Sequence, residues 1–281
     1  MNILVPIDFT NISEAGLHTA IHIARQFNAK IYLFHVIGVN KPGALRSNGD
    51  TMTHAQANAE YNQFVIGMIN KSKDQLNVII KKYKNDKVEF VPVIEVGDFR
   101  DRLEDCIKLI SIDLIVMGTS GEISLSEFYT GNHTAQVIRV SDKPVLAVKN
   151  EIRPEQLKTL LVITDLKKHD QKTVALVRDF AKLFKMKTMI GYLKKNRDLV
   201  LDNLFERLEH FATENNFENY SLHVIGKGGK VKNIGDFSDK NQVDVVATIE
   251  EMVSGIIRLF FGNVTEEMMG ELDQPILAIG R

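Results

Sequence analysis

The chain has a single cysteine, Cys106, no tryptophan, and no uninterrupted apolar run near the ~20 residues that a bilayer span requires. The lone cysteine excludes an intrachain disulfide framework and suits a reducing compartment. The formal net charge is −1, so no global field draws the molecule to nucleic acid or to anionic membranes. The opening Met1-Asn2-Ile3-Leu4-Val5-Pro6 has no basic stretch, and its apolar run is too short for a signal peptide, so a cytoplasmic location is expected. There is no Gly-x-Ser-x-Gly elbow, no His-Glu-x-x-His pair and no kinase motif set. These gaps point away from an enzyme.

What is present reads as a globular α/β protein. With 281 residues, 44% hydrophobic and 25% charged, the chain is long enough for two domains of ordinary size. Short apolar strand patterns (Ile31–Val36, Val88–Val96, Leu114–Met117, Pro144–Val148) alternate with helical ones. Asn11 or Ser13 is placed to cap a helix reaching Phe27, with Leu17, Ala20, Ile21, Ala24 and Phe27 on its buried face. A second helix covers Gln56 to Tyr83 and a third Arg100 to Ile110. Such alternation implies parallel strands with helices on both faces. Gly38 to Thr53 is polar and loop-like, either a lid over the strand ends or a plain insertion.

The most informative stretch runs from Asp113 to Val148. A buried strand, Leu114-Ile115-Val116-Met117, leads into Gly118-Thr119-Ser120-Gly121, then nine residues, then Gly131-Asn132-His133-Thr134 and a helical pattern. A strand, a glycine-rich loop and a helix start together make a phosphate cradle: glycines admit close backbone approach, and the first-turn N–H groups point at an anion. The spacing Gly-x2-Gly-x9-Gly between two strands, together with Ile3-Leu4-Val5-Pro6-Ile7-Asp8 as a first strand closed by an acid, resembles the universal stress protein family. In one respect it departs: the family places Ser or Thr after the third glycine, where this chain has Asn132, a larger donor.

The resemblance implies a doubly wound five-stranded parallel sheet, order 3-2-1-4-5, and a site for ATP or AMP with Mg2+ as a companion. The base would lie near Pro6, Ile7, Asp8, Val36 and Ile37, with Met117 beside the sugar or base. Backbone N–H groups of Gly118, Gly121, Gly131, Asn132 and His133 would hold the phosphates, assisted by the Ser120 and Asn132 side chains. The implied function is a non-catalytic nucleotide-binding stress-response protein. A nucleotide-free interaction scaffold and a slow ATPase or autophosphorylating protein are the alternatives. The His-x-Gly-His of adenylyl-transferring proteins with similar sheets is absent.

The second half repeats the first. An offset of 131 pairs Val93-Ile94 with Val224-Ile225, Gly97 with Gly228, Asp113 with Asp244, Gly131-Asn132 with Gly262-Asn263, Thr134 with Thr265, Asp142 with Asp273, Pro144 with Pro275 and Leu146-Ala147 with Leu277-Ala278. At an offset of 157, Leu160 to Asp165 matches the strand ending at Asp8. This is a tandem duplication, with domains expected at 1–150 and 151–281 and a shorter early region in the second. Pro144–Val148 and Pro275–Ile279 are apolar edge strands that would pair the halves, and a homodimer or a further protein partner can build on that unit. At the places of Gly118 and Gly121 the second copy has Ile249 and Met252. A β-branched residue is disfavoured at positive φ, and Glu250-Glu251 add negative charge, so one competent site is expected, in the amino half. Met252, Val253, Ile256, Ile257, Leu259, Phe260 and Phe261 make the second loop apolar, suited to core packing or contact with the other half, with a different, apolar ligand as the alternative.

Three further features carry little chemistry. His18 and His22 have the i, i+4 spacing of a metal pair but no third ligand, so they read as a solvated helix side. Cys106 reads as an inert, partly buried thiol. Gly226 to Lys232 lacks the Walker pattern and reads as a basic turn.

Overall fold

The computed structural model describes residues 1–39, 54–84, 87–120, 133–164, 166, 171–193, 203–226, 231–249, 268 and 270–280, without the side chains of 54–57, 133, 135 and 249. In chain order the elements are β1 (Asn2–Pro6), α1 (Asn11–Phe27), β2 (Lys30–Ile37), α2 (His54–Lys82), β3 (Glu89–Val96), α3 (Phe99–Leu109), β4 (Leu114–Gly118), α4 (His133–Val140) and β5 (Pro144–Val148). After a 3-10 turn at Pro154–Gln156 come β6 (Thr159–Thr164), α5 (Gln171–Leu183), β7 (Lys187–Leu193), α6 (Leu204–Glu214), β8 (Tyr220–Ile225), α7 (Val231–Asn241), β9 (Val245–Ile249) and β10 (Ile276–Ile279). No helix among the described residues is long and apolar enough to cross a membrane.

The strands form one sheet in the order β3-β2-β1-β4-β5-β10-β9-β6-β7-β8. Each half keeps the expected 3-2-1-4-5 order with parallel neighbours, but the two do not make separate sheets. The edge strands β5 and β10 pair antiparallel, with Leu146 opposite Leu277, and merge them. Side chains alternate across the sheet, so Ile3, Val5 and Ile7 pack with Leu17 and Ile21 of α1 on one face. Leu4 goes to the other face, with Leu103 of α3 and Val137 of α4. The first of these cores continues across the seam through Leu146 and Leu277 to Val162, Val177 and Phe180 of the second half.

Helix ends follow local chemistry. The cap of α1 is Thr10, one residue before the expected pair, because its extended backbone lets the hydroxyl accept from Ser13 N–H at 3.3 Å. At the other end Asn28 (φ 49°) adopts the left-handed conformation that Asn tolerates and stops the helix. Asp98 caps α3, its carboxylate accepting from the N–H groups of Arg100 and Asp101 at 2.9 and 3.3 Å.

The duplication is written in hydrogen bonds as well as in sequence. Asn2 N–H donates to Asp113 Oδ2 at 2.8 Å, and Thr159 N–H to Asp244 Oδ2 at 2.8 Å. Phe9 and Leu166, which correspond, both sit at positive φ (65° and 57°), as do Asn28 and Lys185 (49° and 53°). One expected pairing fails. Phe34 is opposite Val93, whereas its counterpart Gly191 is opposite His223, so the structural counterpart of Val93 is His223, not Val224. The strand β8 thus runs one residue out of the sequence register, which Asp244, the counterpart of Asp113, restores. The shorter early region is confirmed by α6, 11 residues against 29 in α2.

Among the buried side-chain polar atoms described, Ser238 Oγ on α7 has no hydrogen-bond partner. Its counterpart in the first copy is Ile107, an apolar residue. A buried unsatisfied hydroxyl costs about 1–3 kcal/mol, so Ser238→Ala is expected to raise stability by about 1 kcal/mol, measured as the urea midpoint at unchanged slope. An unchanged or lowered midpoint would contradict this.

Candidate functional site

In a 3-2-1-4-5 sheet the strand order reverses between β1 and β4, and a crevice opens there at the carboxyl ends of the strands. The chain leaves β1 at Pro6 and turns sharply. Ile7 N–H still bonds Phe34 O at 2.9 Å, Phe9 takes a left-handed φ, and α1 begins at Asn11. Asp8 Oδ1 closes the turn by accepting from Thr10 N–H (3.0 Å) and Thr10 Oγ1 (2.6 Å). Ser13 Oγ donates to Thr10 O at 3.0 Å and accepts from Asp8 N–H at 3.4 Å. Partial burial pushes the Asp8 carboxyl up, but the bonds from Thr10 and Ser13 outweigh it and hold the group below its ordinary 3.8.

Opposite this turn stands the end of β4. A Cβ on Gly118 would lie 1.7 Å from the carbonyl oxygen of Ile12, and one on Gly16 would lie 2.5 Å from Gly118 N. Helix α1 therefore rests backbone-on-backbone upon β4, with two glycines as the contact. This corrects the expected reason for Gly118. Its φ is not positive; what excludes a side chain there is the close approach of α1. Ile249 ends β9 at the corresponding place in the second half, and Thr173 of α5 stands where α1 has Gly16.

The expected site residues fall into three groups. Pro6, Ile7, Asp8, Val36 and Ile37 meet at the carboxyl ends of β1 and β2, where Asp8 is exposed, Val36 half-buried and Pro6 and Ile7 buried. Gly118 and the exposed Ser120 stand across the crevice, while Met117 is buried in the core beside Leu4 and Phe34. Gly121, Gly131 and Asn132 lie outside the described residues, and His133 is described only as the start of α4. The same holds for most of the Gly38–Thr53 loop, for Asp165, for Lys227 to Lys230, and for the second-copy loop with Met252, Phe260, Gly262 and Asn263.

Two contributors were missed in the sequence. His35 on β2 packs its ring 4.6 Å from that of Phe9, and its Nδ1 is 2.8 Å from Ile7 O. A carbonyl only accepts, so Nδ1 carries the hydrogen and His35 braces the turn before Asp8. Gly16 did carry a signal, since glycine inside an apolar helix costs about 1 kcal/mol and invites a packing reason.

The histidine pair is not a solvated helix side. Glu151, in the linker between the halves, accepts from His22 Nε2 at 2.6 Å and from His18 Nδ1 at 3.1 Å. His18 Nε2 meets Tyr83 OH at 2.7 Å, and Ile152 N–H donates to Thr19 Oγ1 at 3.0 Å. The bond from His22, chiefly, holds the Glu151 carboxyl below the usual range. These contacts strap the linker to α1. No group of three His, Cys, Asp or Glu among the described residues is arranged to hold a metal ion. Cys106 is buried, and burial pushes its thiol up to about 11, consistent with an inert thiol.

Gly118→Ala is expected to destabilise by about 1–3 kcal/mol or more through forced movement of α1, read by urea unfolding; a loss under 0.5 kcal/mol would show that α1 yields easily. For Asp8, the folded carboxyl is depressed, so its stabilisation is present above the unfolded value of 3.8 and disappears as pH falls through the folded value. The gap in urea midpoint between wild type and Asp8→Asn should therefore shrink from pH 6 to pH 2.5. A gap that stays constant would remove Asp8 from the titration.

Comparison with known proteins now adds to this geometry. Residues 1–149 match the sequence model of the universal stress protein family. A universal stress protein of Methanocaldococcus jannaschii is 29% identical over 147 residues, 52% of this chain and 81% of that protein. A second from the same archaeon is 26% identical over 153 residues, 53% and 94% respectively. The crystal structure of a universal stress protein from Archaeoglobus fulgidus superposes with a TM-score of 0.73 at 16% identity, covering 100% of this chain and 96% of that one. A functionally unknown protein from Pseudomonas aeruginosa gives 0.62 at 15% identity, covering 99% and 92%. At such identities these two structures speak for the fold alone, and they do so over both halves. With more than half its length matched, and the Asp8 turn and glycine-ended β4 in place, the chain belongs to the universal stress protein family.

Proposed function

We propose that this protein binds an adenine nucleotide, ATP or AMP, without turning it over, at one site in the amino half. The observation that carries the reading is the contact between the first turn of α1, which follows the Asp8 turn, and the end of β4 at Gly118. It brings the two halves of the sequence pattern to one crevice at the topological switch point, where doubly wound sheets hold ligands. The base and ribose would lie against Pro6, Ile7, Asp8, Val36 and Ile37. The phosphates would go to the loop from Gly118 to His133, with Ser120 and Asn132 as side-chain donors and Mg2+ as a companion of the triphosphate. Met117 would serve the site from the core, by fixing the end of β4.

The chain would be organised as residues 1–150 and 151–281, the second without a nucleotide. Ile249 stands where the first copy has Gly118, in the space where backbone would have to approach phosphate, and Glu250-Glu251 would repel phosphate. The unit would work in the cytoplasm as a nucleotide-dependent partner of another protein.

The test is the nucleotide content of freshly purified protein, by anion exchange of the supernatant after denaturation, followed by calorimetry with ATP and Mg2+. About one nucleotide per chain, abolished by Gly131→Val, is the expected result. Two per chain would contradict the single site. No nucleotide and no heat would leave a scaffold that keeps the fold without the ligand.

A further inference from the structure

The seam between the halves is pseudo-symmetric at its centre and asymmetric at its margins. On the pseudo-twofold axis, corresponding residues meet each other. Leu146 is opposite Leu277, and the rings of Phe27 and Phe184 are 5.2 Å apart, edge to face. Nothing at this centre distinguishes a like half from an unlike one.

At the margins the correspondence breaks. Gly280 follows β10 where Lys149 follows β5. A Cβ on Gly280 would lie 1.5 Å from Ile138 O and 2.6 Å from Ser141 O, so the end of α4 leaves no room for any side chain. At the matching place Lys149 has room for its whole side chain and donates from Nζ to Gly270 O at 3.0 Å, with Asp273 Oδ1 at 3.9 Å. A second contact is one-sided as well: Lys172 Nζ of α5 reaches Asp142 Oδ2 at 2.9 Å, whereas the counterpart of Lys172 in the first half is Ala15.

We propose that this seam is heterotypic by construction. It accepts the unlike half, from the same chain or from a second copy, and rejects a like half. Were two amino halves to meet through β5, each would bring Lys149 against the Ile138 and Ser141 carbonyls, where only a glycine fits. They would also lose the Lys172–Asp142 pair on both sides. Two carboxyl halves would meet with glycines at both margins and without the Lys149 donor. The clash acts as the repulsive element that sets partner choice, while the apolar centre supplies the adhesion.

The test is amide hydrogen exchange on the full chain, comparing β5 and β10 with β2 as the reference for an intact fold. Gly280→Lys gives the second half the first half's residue. It is expected to speed exchange in 145–147 and 276–279 by at least about tenfold and to leave β2 unchanged. Lys149→Met keeps the volume in a place that has room, and is expected to change the same amides by less than about threefold. Should Gly280→Lys lose protection in β2 as well, Gly280→Ala, whose single Cβ already meets Ile138 O, is expected to give the local loosening. Wild-type protection in both Gly280 variants, or equal responses at positions 280 and 149, would overturn the proposal.

Discussion

The carbonyl oxygen of Ile12 occupies the space a side chain at position 118 would need, and most of the architecture of the amino half depends on that contact. It fixes α1 over β4 with no side chains between them, which puts the first turn of the helix at the switch point of the sheet. Asp8, Thr10 and Ser13 are then held beside the end of β4 by a short turn in which a non-glycine residue, Phe9, accepts a left-handed backbone. Such a conformation costs of order 1 kcal/mol and persists where its surroundings over-determine it. Here His35 and Ile7 brace it on one side and the Asp8–Thr10 bonds on the other.

The same helix also reaches the junction of the halves. Two turns beyond the site, His18, Thr19 and His22 hold the linker at Glu151 and Ile152, and its last residue, Phe27, meets Phe184. One rigid element thus joins the candidate ligand crevice to the seam. Duplication made the two halves alike in their ladders; divergence lies in the region between the second and third strands, in the sequence of the loops that follow β4 and β9, and in the residues that follow β5 and β10. Ile249 and Gly280 are paired examples. Where the first copy has a glycine the second has a bulky residue, and where the first has a lysine the second has a glycine.

Much of this was legible in the sequence, for a physical reason. Buried strands, helix faces and glycine spacing are local patterns, and a repeat doubles each signal, so the α/β class and the duplication could be anticipated, while the strand order and the edge-strand pairing followed from the family resemblance. What escaped required knowing which distant segments touch. The purpose of Gly118 lay in a helix a hundred residues earlier, not in its own φ. The histidines of α1 looked solvated because their partner, Glu151, is far along the chain. An ungapped register disguised the one-residue shift of β8, because the register is restored by Asp244 and the pairing could be checked only against β7. The phosphate-loop glycines Gly121 and Gly131 rest on their spacing alone.

The central claim is that one crevice, at the Asp8 turn and the end of β4, holds the nucleotide. Hydrogen exchange of the full chain with and without saturating ATP and Mg2+ tests it most directly, since it reports on each segment separately. Slowed exchange confined to residues 7–16, 36–37 and 118–134 is the predicted result. Equal slowing at 249–265, or slowing elsewhere with none at the Asp8 turn, would contradict the account.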